Sequence, residues 1–448
     1  MLPIVTPDEM AAIDRDAPEP VEVLIGRAGS AVAHEALRML GGAYGKRVVV
    51  IAGKGNNGND GRDAAEKLRR RGVRVQVLEA ASLDPRTRLP QSDLVIDAAY
   101  GTGFHGDYHA PDPAGAPVLA VDIPSGVDGL TGAAGEGAVR ADVTVTFAAL
   151  KPGLLFEPGR TLTGEVHIAD IGLDCSGATA HLIESRDVRE WLPRRPSIAH
   201  KWQSAVWVIG GSPGMTGAPA LTTRGAQRAG AGYVRRSTPG ALAEGPIESV
   251  AVAIDEDGWA AQVLADLERI RAIVVGPGLA SNASTEREVR SLVAAAPCPV
   301  LVDGTGLTAL GEGWRALAST DAVLTPHDGE YARLTGHAPD ADRLTAAREL
   351  AASTGAVVLL KGPTTVVATP DGVAFVTIEG DSRLATAGTG DVLSGIIGAL
   401  LAQGVEAERA AAAGAWLHGR ASTLGPARGL VAGDLPELLP AVFDDLEH

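Results

Sequence analysis

Asn57, Asp97 and Asp122 sit at or just past the ends of short β-branched runs, and the Ser125 hydroxyl follows within "DIPSG". Oxygen-bearing side chains converging in this way suit a hard cation. Each could instead cap a turn or helix, and Asp122 could equally act as an acid or base. In the second half, Gly388-Thr389-Gly390-Asp391 opens an apolar helical stretch, and Lys361-Gly362 ends a strand ahead of it. Successive N–H groups at a helix start form an anion hole. The lysine would add a point charge for phosphate, and Asp391 would face the hydroxyl that attacks it. The plainer reading of Asp391 is a helix N-cap. His327 and Glu330 in "LTPHDGEYARL" add two protonatable groups, against the alternative of a solvated Pro-His loop. The glycine-rich stretches "GGSPGMTGAPAL" (210–221) and "GPGL" (276–279) read as turns or as ligand loops.

The stretch "VVVIAGKGNNGNDGRD" (48–63) admits two incompatible readings. Gly53, Gly55 and Gly58 fit G-x-G-x-x-G after a strand, and Glu79 ends the next strand, as in a dinucleotide-binding fingerprint. Asn56, Asn57, Asn59 and Asp60 in the same loop argue otherwise, because a pyrophosphate site has no use for a carboxylate at its anion-binding mouth.

Regular alternation must position these groups. "RVVVIAG" (47–53), "VRVQVL" (73–78), "DLVIDAAYG" (93–101), "PVLAVDIPSG" (117–126) and "DVTVTFAAL" (142–150) read as strands, with a helix over 61–72. Such alternation predicts right-handed βαβ units around a parallel sheet. The loops at 53–61, 101–107 and 122–126 then follow strand carboxyl ends and should line one crevice. The charged, proline-bearing stretch at 184–203 marks the expected domain boundary. Strands resume at 205–211, 272–278, 299–304, 322–327 and 356–362, with a hairpin turned at Pro370-Asp371-Gly372 and an apolar helix ending at Gly404. The fold class is therefore α/β, with both halves doubly wound.

Composition narrows the partners. A chain of 448 residues exceeds one ordinary core, given roughly 100–200 residues per domain. Its 55 acidic against 39 basic residues give a net charge of −16, which repels nucleic acid and anionic membranes. Any anionic ligand must be captured by local N–H groups and a few placed cations. Two distant cysteines, Cys175 and Cys298, make neither a disulfide framework nor a cysteine metal site. With no signal-like start and no apolar run of spanning length, a cytoplasmic protein is expected.

The motifs together resemble two families. The first half resembles the NAD(P)H-hydrate epimerases, matching their N-N-G-x-D loop at 56–60, their G-T-G loop in "GTGFHGD" (101–107) and their D-I-P-S-G element at 122–126. The second resembles the ADP-dependent NAD(P)H-hydrate dehydratases, relatives of ribokinase-like kinases, through "GGSPGMTGAPAL", "GPGL", "LTPHDGEYARL", "LLKGPTT" and "AGTGDVLSGIIGALLAQG". The order is that of the fused bacterial enzymes, so the resemblance implies a Rossmann-like epimerase domain at 1–195 and a ribokinase-like dehydratase domain at 196–448.

The resemblance further implies residue roles. Asn56, Asn57, Gly58, Asn59 and Asp60, with Gly101, Thr102, Gly103, Phe104, His105, Gly106 and Asp107, would wrap a nicotinamide nucleotide hydrated at C6, NADHX or NADPHX. Asp122 would contact that substrate and move protons, and Asn57, Asp97 and Ser125 would hold potassium. In the second domain Asp391 would take the hydroxyl proton and bind substrate. Gly217, Gly276 and His327 would line the hydrate pocket. Lys361, Gly362, Pro363, Thr364, Thr365 and Gly390 would bind ADP, with magnesium accompanying the nucleotide. A homo-oligomer is expected. Where the family carries D-A-D, this chain reads Asp303-Gly304-Thr305-Gly306, one acidic residue fewer. Three rivals make other demands: a kinase for a small alcohol needs ATP, a lapsed regulatory protein binds without turnover, and a dehydrogenase transfers hydride from intact cofactor.

Overall fold

A computed structural model describes residues 1–85, 87–104, 106, 108–242, 244–311 and 321–447. Contacts divide the chain into two compact units, residues 2–180 and 181–448.

In the first unit β1 (Arg47–Ala52), β2 (Arg74–Glu79), β3 (Leu94–Ala98), β4 (Val118–Val121), β5 (Val143–Phe147) and β6 (Glu165–Ala169) form a sheet in the order β2-β1-β3-β4-β5-β6. Every pairing in it is parallel. Because strand side chains alternate between faces, Val48 and Val50 join one core while Val49 and Ile51 join another on the opposite side. The helices α1 (Pro7–Asp16), α2 (Val21–Leu40) and α3 (Asn56–Arg70) belong to this unit. On α2, Ala28, Val32, Ala36 and Leu40 recur at helical spacing and pack with Ala64 and Leu68 of α3. The chain leaves β1 for β2 on one side and returns to β3 on the other, so a crevice opens where those connections diverge.

In the second unit the helix α4 (Ser185–Trp191) precedes β7 (Ala205–Ile209), β8 (Tyr233–Ser237), β9 (Val250–Ala251), β10 (Ala272–Val275), β11 (Val300–Val302), β12 (Ala322–Leu324), β13 (Val357–Leu360), β14 (Thr365–Ala368) and β15 (Ala374–Thr377). These nine strands lie in the order β15-β14-β13-β12-β11-β10-β7-β8-β9. Pairing is parallel from β9 to β13 and antiparallel through the hairpin β14–β15, whose turn carries Gly372 at φ 92°. Helices α5 (Gly217–Arg228), α6 (Asp328–Thr335), α7 (Thr389–Ala402) and α8 (Ala407–Leu424) complete the parts that matter below. Helices α5 and α7 meet through glycine. A Cβ on Gly395 would lie 2.0 Å from the Thr222 carbonyl oxygen, and one on Gly225 would lie 2.5 Å from that of Val392. No larger residue permits that approach.

The boundary expected at residue 195 falls too late. Ile183 donates its N–H to Val376 at 3.0 Å, Val188 is fully buried, and the Trp191 ring meets Phe375 edge-on at 5.7 Å. The proline-bearing segment after Trp191 is mostly exposed chain within the second unit. Composition marked solvent exposure, whereas contacts decide where a unit ends. A fragment starting at 181 should accordingly exceed one starting at 196 in stability by on the order of 2–4 kcal/mol, from the buried valine and the aromatic pair. Urea unfolding of the two fragments checks this, and equal midpoints would restore the later boundary.

Candidate active sites

The segment read as an Asn-rich loop is the first turn of a helix: α3 starts at Asn56, directly after β1. Close packing forces this. A Cβ on Gly53 would lie 1.9 Å from the Ala99 carbonyl oxygen, and one on Gly58 would lie 2.0 Å from that of Gly53. Only glycine lets the helix start seat against the carboxyl ends of β1 and β3. Its N-cap, Gly55, supplies no side-chain bond, so first-turn N–H groups stay available for an anion.

A cavity of about 740 Å³ opens at this point, lined by Asn56, Asn57, Asp60, Gly101, Thr102, Gly103, Phe104, Asp122 and Lys151, with Met10, Leu24, Ile25 and Phe147 as apolar wall. His105 and Asp107 lie outside the described residues. Gly106, at φ 126°, is not among the lining residues. Beside the cavity, Asp97 is buried and accepts bonds from the Ser125 N–H and hydroxyl at 2.8 Å each, and from Ala99 N–H at 3.3 Å. Burial nonetheless lifts its carboxyl to about 6. The Asn57 amide is buried with neither its oxygen nor its nitrogen hydrogen-bonded, which leaves both atoms for a water or an ion. Its side chain lies against Gly101, whose added Cβ would sit 3.7 Å from Oδ1. A buried carboxylate, a hydroxyl and an unspent amide oxygen are the kind of donors that a hard cation takes.

Asp122 holds a left-handed backbone, φ 66°, uncommon for any residue but glycine. Its Oδ1 accepts from Lys151 Nζ at 2.7 Å and from the Thr146 hydroxyl at 3.1 Å. Lys151 is only 1 % exposed, and its other contacts are Thr146 Oγ1 and the Phe147 carbonyl, both at 2.9 Å. On the α3 side of the cavity stands Asp60. Burial first, then repulsion from Asp122, Asp63 and Asp14, pushes its carboxyl to about 8, so it is largely protonated at neutral pH. Burial also raises Asp14, with Lys151 opposing and Asp122 adding to the shift. Sequence reasoning passed over Lys151 and Asp14. The "ALKPG" segment after the fifth strand could have flagged the lysine; nothing flags Asp14, which α1 delivers from the chain's start.

In the second unit, α7 starts at Thr389 behind Gly388, whose φ of 92° turns the chain into the helix. No side chain caps this helix, so Asp391 is not the cap that one reading proposed. Burial and repulsion from Asp303 raise its carboxyl to about 7, with Lys361 opposing and Glu330 adding. Lys361 Nζ contacts Asp303 Oδ1 at 2.9 Å and Glu330 Oε2 at 3.3 Å. It also lies 3.6 Å from where a Gly390 Cβ would stand, so glycine keeps the helix start open beside the ammonium. Burial would lower Lys361, but Asp303 and Glu330 more than offset that and hold it above its ordinary value.

The remaining expected residues surround this centre unevenly. His327 is the N-cap of α6, its Nδ1 accepting from the Gly329 and Glu330 N–H groups at 2.9 and 3.3 Å. Half of the ring is exposed, and its Nε2 lies 3.6 Å from Glu330 Oε1. Gly276, at φ 122°, packs where a Cβ would lie 1.9 Å from the Asp303 carbonyl oxygen. Gly217 opens α5 with free space around it. Gly362 follows the Lys361 carbonyl that accepts from Arg343 at 2.8 Å; after Pro363, Thr364 is buried and Thr365 begins β14. Sequence reasoning named Asp303 only as the acid kept where the family carries D-A-D and gave it no role here. An acidic residue closing an apolar strand in "PVLVDG" was the available signal.

A parallel-sheet unit with an oxygen-rich cavity, followed by a unit that sets a lysine and a free carboxylate at a glycine-started helix, defines an enzyme of two nucleotide-handling domains. Comparison with known proteins makes the family explicit. Residues 206–442 match the NAD(P)H-hydrate dehydratase family model, and residues 21–92 and 79–153 match the YjeF-related protein N-terminus. The bifunctional NAD(P)H-hydrate repair enzyme of Moorella thermoacetica is 36 % identical over 99 % of this chain and 97 % of its own. That of Mycobacterium tuberculosis is 40 % identical over 88 % and 87 %. A crystal structure of the ADP/ATP-dependent NAD(P)H-hydrate dehydratase of Bacillus subtilis, co-crystallized with ATP and Mg2+, superposes with a TM-score of 0.50 at 31 % identity, covering 59 % of this chain and 97 % of that one. The chain belongs to the bifunctional NAD(P)H-hydrate repair enzymes, with a ribokinase-like second domain.

The Asp60 shift carries a stability consequence of definite sign. A carboxyl raised from 3.8 to about 8 on folding favours the folded state fully below pH 4, and that contribution is lost as pH rises toward 8. Asp60→Asn, which mimics the neutral acid, should therefore match the wild-type melting temperature near pH 4 and exceed it by a margin that grows up to pH 8. Thermal unfolding across that range checks it, and a margin independent of pH would show that Asp60 ionises freely.

Proposed function

We propose that the first unit interconverts the R and S epimers of NAD(P)HX and that the second dehydrates the S epimer at the expense of ADP. The observation that carries the dehydratase half is the Asp391 carboxyl, uncapped, held near 7 and set beside Lys361 at an open helix start. Hydroxide is a poor leaving group. Transfer of the ADP β-phosphoryl to the C6 hydroxyl gives AMP and a phosphate ester, and loss of phosphate from C6 together with a proton from C5 then restores the dihydronicotinamide. Asp391 takes the hydroxyl proton as that bond forms. A carboxylate titrating near neutrality suits this step, since it is both available as base and able to hold the proton. Lys361 and the first-turn N–H groups of α7 stabilise the transferring phosphoryl group, and Mg2+ bound with the nucleotide neutralises phosphate charge.

For the epimerase half, Asn57, Asp97 and Ser125 are the residues that would hold potassium. The comparison with Asp303 favours this. Both carboxylates are buried and accept from a serine hydroxyl, yet Asp303, paired with Lys361, lies below its ordinary value while Asp97, which accepts hydrogen bonds but meets no ammonium among the described residues, lies above. A bound cation would give Asp97 the counter-charge that Lys361 gives Asp303, and would fix the Gly101–Phe104 segment along the cavity. Asp122, its Oδ1 engaged by Lys151, and the protonated Asp60 would supply the base and the acid for proton transfer at the C6 hydroxyl.

Incubated with mixed NADHX epimers, ADP, Mg2+ and potassium, the protein should regenerate NADH from both, measured by absorbance. Omitting potassium should slow consumption of the R epimer only. No NADH from either epimer, or an equal rate with ATP and a small alcohol, would sink the reading. Asp391→Asn should keep ADP binding and epimerisation and lose about 10²–10⁴ in NADH regeneration, since asparagine cannot take the proton. Near-normal regeneration by that variant would remove Asp391 as the base.

A further inference from the structure

Asp303 is the most heavily bonded carboxylate in the second unit's centre. It closes β11, a strand held between β10 and β12, and is 3 % exposed. Its Oδ1 accepts from Lys361 Nζ at 2.9 Å and from the Thr325 hydroxyl at 2.8 Å, and its Oδ2 from the Ser394 hydroxyl at 2.7 Å. Three separate elements therefore converge on one side chain. Thr325 follows β12, Lys361 follows β13, and Ser394 is buried in α7 one turn beyond Asp391. The Ser394 hydroxyl also lies 3.0 Å from the Gly390 carbonyl, but it has one proton, and the shorter bond runs to Asp303.

We propose that Asp303 is the positioning residue of the phosphoryl-transfer step, fixing Lys361 and the helix that bears Asp391 in one register. This deepens the dehydratase reading above and rests on it. An ammonium has three N–H donors. Asp303 and Glu330 engage two, which leaves the third for a nucleotide phosphate. Released from Asp303, the lysine would keep the Glu330 contact alone, at 3.3 Å from a single carboxylate on α6. Through Ser394 the same carboxylate holds the rotation of α7, so that Asp391 and the first-turn N–H groups keep their direction. Misplacement by about 1 Å in such a site is enough to lose on the order of 10² in rate. The groups bearing charge on Asp391 are Asp303, Lys361 and Glu330. Burial pushes Asp303 itself upward, but Lys361, then Ser394 and Thr325, hold it below the usual carboxylate range, so it stays ionised. Its charge in turn raises Asp391.

Asp303→Asn keeps the shape and an acceptor for Lys361 but removes the charge. In the full-length variant, ADP should bind roughly tenfold more weakly by calorimetry, and NADH regeneration should fall by on the order of 10². The acid limb of the regeneration profile should move to lower pH, because one of the charges raising Asp391 is gone. Carbon NMR of the Asp391 carboxyl should show the same fall, a change that a merely structural residue would not produce. Ser394→Ala cuts the tether and keeps the charge. It should lower kcat with Asp391 titrating as in the wild type. Asp303→Asn that binds ADP normally, with Asp391 titrating unchanged, overturns the proposal, and so does undiminished kcat in Ser394→Ala. Should the wild type regenerate no NADH, the dehydratase reading fails while the Asp391 titration still decides the role of Asp303.

Discussion

Each unit depends on a carboxylate buried at the carboxyl end of a parallel strand. Taking such a group out of water is costly unless hydrogen bonds and an opposite charge compensate. Asp97 and Asp303 meet that demand with the same local device: a serine hydroxyl from another element and an N–H or hydroxyl beside it. The loops and helices that make the compensation are the ones that form the sites. Asp97 ties β3 to the Ser125 turn, and Asp303 ties β11 to β12, β13 and α7. Satisfying one buried charge thus assembles the surroundings in which chemistry takes place.

Close backbone packing provides the second constraint. Gly53 and Gly58 seat α3 against β1 and β3, and Gly225 and Gly395 seat α5 against α7. In both units the effect is to bring a helix start, with its unpaired N–H groups, to the crevice. An acidic chain of net charge −16 can hold anionic nucleotides only through such local devices. Lys151, buried, and Lys361, partly buried, stand in the two sites, and each is held by carboxylates rather than left to solvent.

Burial also explains why several acids stand near neutrality. Asp60 at about 8, Asp391 at about 7 and Asp97 at about 6 share burial as the leading cause. Repulsion from other acids adds to it for Asp60 and Asp391 alone. Stability is sacrificed at these positions, because each group would be easier to accommodate as a neutral side chain. Proton transfer near pH 7 needs groups poised in this way.

Much of this was legible in the residues. Alternating β-branched runs announced the parallel strands, Pro370-Asp371-Gly372 the hairpin turn, and Gly388 through Asp391 the start of an apolar helix, because these signals are local and depend on backbone geometry alone. The motif order also carried the family. Tertiary structure decided the rest. Whether Asn56–Asp60 was loop or helix turned on the approach of Ala99, about forty residues away. Whether Asp391 was a cap turned on where its carboxyl pointed. The boundary turned on Trp191 meeting Phe375, a contact that proline content cannot report. The roles of Lys151, Asp14 and Asp303 stayed hidden because they come from partners distant in sequence, and the ionisation of a buried group depends on which charges the fold brings beside it.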